Sequence, residues 1–413
     1  MKTAIWLYLF LFVAFFDLHA QYPMLTPFAV SLGAAPSFIG LVMGMYSLTH
    51  LPGNLIAGYG VDRFGSRFFI MASLSGAGLL LLFQSRVTDP WDLLYIRSIS
   101  GFVLAFLSPA CMSLLARLAK DHIQQGKLMA GNGLVHTIAS VVSPAAGAWL
   151  AATIGFNRSF AILGWVLLMT GIGSVWFIRE PANSSSAEKP DEAPVMPVTP
   201  ALAHSHAHDR PPMPDTEEDG QAAPRKFPWS VFVLPVGMAF AQGILAFELP
   251  LRGTTSAEIM TTGLLFSVVS LGALATLGLL FLNRYLPYNR TVSGVLLLAL
   301  AYYGLAAGWP VPLLLLLFVI GMSKGIIFPA MTSLMLQLSG PSRYGRTFST
   351  LSIALSIGSF LGPVAAGASR QFFSPYFLSF LGLMTALIIL FPRPIFRMNW
   401  TSPPRYSHTS SSR

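Results

Sequence analysis
A chain of 413 residues that is 54% hydrophobic and only 10% charged cannot stay dispersed as a soluble protein, whose usual charged share is about 25%. Its net charge of +9 is spread among apolar runs and forms no basic stripe, which argues against nucleic-acid binding. The one cysteine, Cys111, excludes an intrachain disulfide framework and sits in an apolar run, where inert packing is expected.

The predicted elements are membrane helices, because a spanning helix needs about 20 mostly apolar residues. The first runs over 3–29. Lys2 precedes it, no small-residue cleavage site follows it, and Asp17 and His19 interrupt it, so it is expected to be retained as a membrane helix rather than removed as a signal peptide. Further spans are predicted at 38–58, 68–84, 92–116, 127–153 and 159–178. Residues 179–227 break the pattern with nine prolines and 9 of the 16 acidic residues, a composition that cannot bury enough apolar surface to order itself. They are expected to form a disordered linker. Within it His204, His206 and His208 alternate, either a weak transition-metal tract or a solvated one. Six more spans follow at 228–250, 259–282, 291–308, 311–338, 346–369 and 376–392, then a tail over 393–413.

The predicted architecture is therefore an all-α integral membrane protein of twelve transmembrane helices in two six-helix bundles, 1–178 and 228–392. Placing the N-terminus in the cytoplasm leaves 19 Lys and Arg on the cytoplasmic side and 4 on the outer side, the bias that sets orientation. Both termini and the linker are thus expected to be cytoplasmic, in a plasma-membrane protein acting as a monomer. The bundles repeat each other: Gly101-x7-Pro109-Ala110-x2-Ser113-Leu114 recurs as Gly321-x7-Pro329-Ala330-x2-Ser333-Leu334, and Ser143-Pro144 is answered by Gly362-Pro363. Parallel six-span repeats suit a transporter with its site between the halves.

Ionisable residues inside spans are the leading site candidates, since each costs about 2.5–3.5 kcal/mol at a helix centre. They are Asp17, His50, Arg97, His136 and Lys324, with Glu248 near the end of the seventh span. A carboxyl group in a dry cavity exchanges its proton nearer neutral pH than it does in water. That makes Asp17 the first candidate for proton carrier and Glu248 the second. The alternative for Asp17 is a permanent ion pair with Arg97 or Lys324. Lys324 is either a counter-charge for substrate or a structural partner, and Arg97 and Glu248 could instead snorkel to the interface. Tyr46, His50 and Asn54 share one helix face, as do Asn132, His136, Ser140 and Ser143. These stripes either line a water-filled cavity or satisfy their own hydrogen bonds.

The loop after the second span reads Gly58-Tyr-Gly-Val-Asp62-Arg63-Phe-Gly65-Ser66-Arg67. It resembles the major facilitator superfamily signature Gly-x-x-x-Asp-Arg/Lys-x-Gly-Arg/Lys-Arg/Lys, with Ser66 in place of one basic residue. Arg97-x3-Gly101 is similar to that family's Arg-x-x-Gln-Gly motif, with Ser100 for Gln. Ser143-Pro144-x2-Gly147 is similar to its Gly-Pro-x-x-Gly antiporter motif, and Gly362-Pro363 preserves the dipeptide in the eleventh span. Small residues at Ala139, Ser143 and Gly147, and at Ala354, Gly358, Gly362 and Ala366, allow close helix approach. The resemblance implies alternating access, with Gly58, Asp62, Arg63, Gly65 and Arg67 as a conformational latch toward the eleventh span. It also implies proton-coupled efflux of an amphipathic or cationic organic compound. Proton-coupled uptake, and a sensor or scaffold that keeps the fold, stay open. No nucleotide-binding loop, Ser-His-Asp set or metalloprotease pattern occurs, so neither an enzyme nor a cofactor is expected.

Overall fold
The computed structural model describes residues 2–119, 122–178, 228–253, 255–277, 284–339 and 344–390. The linker with His204, His206 and His208, the tail, and the surroundings of Gly58 and of the Asp62 side chain lie outside what is described. Fourteen α-helices occur among the described residues: α1 (Lys2–Ala20), α2 (Tyr22–Ser31), α3 (Pro36–Phe64), α4 (Ser66–Gln84), α5 (Pro90–Leu104), α6 (Leu107–Leu118), α7 (His122–Ile154), α8 (Phe156–Phe177), α9 (Val233–Glu248), α10 (Ser256–Leu277), α11 (Pro287–Ala307), α12 (Leu313–Ser339), α13 (Tyr344–Ser369) and α14 (Pro375–Leu390).

They form twelve spans, because the first and fourth are each broken in two. Sequence periodicity predicts a continuous helix over 3–29, but the structure interrupts it at Gln21. Pro23 and Pro27 follow, and neither can donate a backbone hydrogen bond to the preceding turn. The fourth span breaks at 105–106 because Pro109 cannot donate to the Ala105 carbonyl. Ten helical segments among the described residues are long and apolar enough to cross a bilayer. The other two spans are α3, punctuated by His50, Asn54 and Arg63, and the shorter α14.

Successive spans alternate in direction. One face of the molecule carries the start of α1 and the α3–α4 turn; the far face carries the connections at 32–35, 85–89, 155, 249–253, 308–312 and 370–374. Gly65, at φ 87°, makes the α3–α4 turn in a backbone conformation that side-chain-bearing residues rarely adopt. In each half the sequence repeat appears as equivalent close approaches. A Cβ on Gly101 would fall on the Tyr46 carbonyl of α3, and one on Gly321 would fall on the Val269 carbonyl of α10.

The halves meet through α3 against α13 and α7 against α10. Gly40 lies on the Pro363 carbonyl, and Gly263 lies on the Pro144 carbonyl. The same offset of 223 separates Gly40 from Gly263 and Tyr46 from Val269, so the second and eighth spans also repeat. Gly44 against Phe360 and Gly367 against Pro36 add to this contact. All these approaches lie in the far-face half of their helices, so the backbones close most tightly there.

Candidate functional site
The break in the first span positions the site. It carries α1 past α7, where a Cβ on Gly147 would meet the Ala20 carbonyl. The close approach available at the Ser143-Pro144-x2-Gly147 segment therefore brings α7 against residue 20, and the next side chain, Gln21, turns into the N-terminal half. Ser143 is buried and donates to the Ala139 carbonyl at 2.5 Å. In the other half, Gly358 and Gly362 of α13 lie on the Val236 and Phe240 carbonyls of α9, and Pro363 packs on Gly243.

Asp17, Gln21 and Arg97 form a buried chain, exposed by only 2%, 5% and 7%. The Gln21 amide Nε2 donates to Asp17 Oδ2 at 2.9 Å, and Arg97 Nη1 donates to Gln21 Oε1 at 2.8 Å. Gln21 thus stands between the carboxylate and the guanidinium, using its donor on one and its acceptor on the other. The expected alternative, a direct ion pair of Asp17 with Arg97 or Lys324, does not occur among the described residues. Asp17 Oδ1 and Arg97 Nε have no hydrogen-bond partner. Arg97 lies over the Tyr46 ring, 4.6 Å from its centroid. Here the Arg97-x3-Gly101 spacing acquires a physical meaning: Gly101 lets α5 touch the Tyr46 backbone, and Arg97, one turn earlier, reaches the same residue's ring.

The chain continues as a seam toward the other half. Tyr22, next to Gln21, lies within electrostatic reach of Arg97 and Tyr46. His19 packs edge-on against Tyr22 at 5.5 Å and against His136 of α7 at 5.2 Å. The His19 Nδ1 donates to the Phe15 carbonyl at 2.7 Å, since a carbonyl can only accept, and this leaves Nε2 free. His136, edge-on to Phe15 at 4.7 Å, is exposed in the gap between the halves. The second half contributes Phe266, 5.9 Å from Tyr22, and Lys324, whose charge acts on both His19 and His136.

The remaining candidates separate. His50 Nδ1 accepts from Asn54 Nδ2 at 2.9 Å, and the same Asn54 amide reaches Ser352 of α13 at 3.4 Å, a side-chain link between the halves. Asn132 is half-buried with an unpartnered Oδ1. Glu248 is not brought to the seam: its Oε1 lies 3.7 Å from Arg370 Nε at the far face, beside Arg252 stacked on Tyr376. In the loop motif, Arg63 donates to the Tyr59 hydroxyl at 3.4 Å, and Arg67 donates to the Val175 carbonyl at the end of α8. Sequence reasoning missed Gln21, Tyr22 and His19 as site residues. The available signal was Gln21 one turn after Asp17 and just before a Tyr-Pro pair.

A family model described as Major Facilitator Superfamily matches residues 7–308. The chain is 25% identical over 403 residues to the multidrug resistance protein MdtG of Salmonella paratyphi A, covering 94% of this chain and 92% of that protein. It is 22% identical over 378 residues to an uncharacterized MFS-type transporter of Methanocaldococcus jannaschii, covering 89% and 93%. Among solved structures, a bacterial homolog of the human lysosomal transporter Spinster, inward-facing and occupied, superposes with TM-score 0.68 at 15% identity, covering 94% of this chain and 93% of that one. The nucleoside transporter NupG superposes with TM-score 0.69 at 13% identity, covering 96% and 100%. At these identities the two structures speak for the fold alone.

Proposed function
Since this chain belongs to the major facilitator superfamily and is a multi-pass membrane transporter, we propose that it exports a small amphipathic organic compound in exchange for protons, with Asp17 as the proton carrier. The two halves rock about the seam between them, exposing it alternately to each side. Export is supported by similarity to a multidrug resistance protein along nearly the whole chain. The face that carries the N-terminus is cytoplasmic in this reading, on the charge bias of the loops. The far-face closure at Gly40 and Gly263 then corresponds to a state open to the cytoplasm.

The observation that carries the proton reading is the Gln21 bridge. Asp17 is buried and hydrogen-bonded, yet no cation is clamped on it. A carboxylate locked to a guanidinium gives up its charge only by breaking that pair. One held through an amide can be protonated on its free Oδ1 while Gln21 keeps Arg97 in place. Protonation weakens a charge-assisted bond to a neutral one, a change of about 1 kcal/mol, small enough to be reversed in every cycle.

The test uses purified protein in vesicles with a panel of anionic, neutral and cationic amphipathic dyes. Asp17→Asn, which mimics the protonated form, is expected to abolish gradient-driven export and to retain downhill exchange. Wild-type driven export by Asp17→Asn would end the proposal for Asp17.

A further inference from the structure
The seam has a covered end and an open end, and their charges differ. At the covered end Asp17 is neutralised within a chain that includes Arg97. At the open end Lys324 projects from mid-length of α12, half-buried. No carboxylate among the described residues pairs with it. Its helix neighbours Gly321 and Gly325 press on Val269 and Ala273 of α10, which fixes the rotation of α12 and aims the next face at the gap. The charge of Lys324 reaches His19 and His136 of the other half, and Tyr22 packs on His19. The two imidazoles carry ring nitrogens and Tyr22 a hydroxyl, Phe15 packs against His136, and the buried Phe266 backs Tyr22.

An unpaired ammonium inside a membrane protein is expensive to keep and marks a function by default. A cationic substrate would need an open carboxylate. The carboxylates of Asp17 and Glu248 are both buried, and each already has a cation nearby: Arg97 through Gln21, and Arg370 directly. Among the described residues the accessible charge inside the spans between the halves is therefore positive. Resting on the reading of this chain as a transporter, we propose that the Lys324–His19–Tyr22–His136 cluster binds the carboxylate or other anionic headgroup of an amphipathic substrate, whose apolar body packs on the half-buried Phe15. Lys324 supplies the charge from one half, and Tyr22 and the imidazoles supply hydrogen bonds from the other. The anion thus spans both halves, and its exit in exchange for an entering proton would be assisted by an inside-negative potential.

The experiment compares two probes with the same ring and opposite charge, 2-naphthoate and 2-naphthylmethylammonium, binding to the full-length protein in nanodiscs, with empty nanodiscs subtracted. Wild-type protein is expected to bind the naphthoate at least ten-fold more tightly than the ammonium. Lys324→Gln should remove that preference, and Lys324→Arg should retain it. His136→Phe, at an exposed position, should weaken naphthoate binding several-fold with thermal stability unchanged, which guards against a folding defect at Lys324. The proposal is overturned if the ammonium binds as tightly, if Lys324→Gln leaves naphthoate affinity unaltered, or if neither probe binds. Lys324-dependent binding with no gradient-driven movement of any dye would preserve the site and refute the export reading. Driven export that ignores the sign of the dye would do the reverse.

Discussion
Removing the uncharged Gln21 should destabilise the protein more than neutralising Asp17. Gln21→Leu keeps the approximate volume but deletes both bonds of the bridge, leaving Asp17 Oδ2 and Arg97 Nη1 buried without partners. Each orphaned group costs at least about 1–3 kcal/mol on the scale of soluble proteins, so at least about 2–6 kcal/mol together. Scaled to hydrogen bonds within bilayers, at about 0.6–1.7 kcal/mol each, the loss is about 1–3 kcal/mol. Asp17→Asn is different. The asparagine oxygen still accepts from Gln21, the amide nitrogen replaces an oxygen that had no partner, and Arg97 keeps its acceptor. The charge assistance is lost, about 1 kcal/mol, together with a through-space attraction to Arg97 that the intervening amide keeps indirect. Thermal midpoints and denaturant titrations in detergent should therefore rank wild type and Asp17→Asn close together, with Gln21→Leu clearly lower. If Asp17→Asn proves the more damaging, or Gln21→Leu matches wild type, Asp17 and Arg97 interact directly and the bridge is incidental.

Gly40→Val and Gly263→Val each drive a branched side chain into a proline carbonyl of the opposite half. Both should loosen the far-face closure and cut driven transport at least ten-fold; driven transport at the wild-type rate would mean that this contact does not hold the closed state. Val195→Cys should resist an impermeant reagent outside intact cells if the linker is cytoplasmic, with little background from the buried Cys111. Efficient labelling would invert the orientation.

Two six-span halves were legible in the sequence because lipid imposes a length and an apolar composition on every crossing, and because the repeat recurs in residue identities such as Gly101 and Gly321. Asp17, Arg97 and Lys324 were visible as interior charges for the same reason: in an apolar run any charge stands out. Their partners were not visible. Whether Asp17 touches Arg97 depends on how α1 is broken at Gln21 and how α5 lies against α3, and those are facts of helix rotation and crossing rather than of spacing. Glutamine in an apolar run carries no charge to mark it, and only its position between Asp17 and an arginine 76 residues farther along the chain than itself shows its role. The same limit applied to Glu248, whose depth in the span suggested a carrier but whose rotation turns it to Arg370. Hydropathy records how deep a side chain lies, and packing alone decides what it meets there.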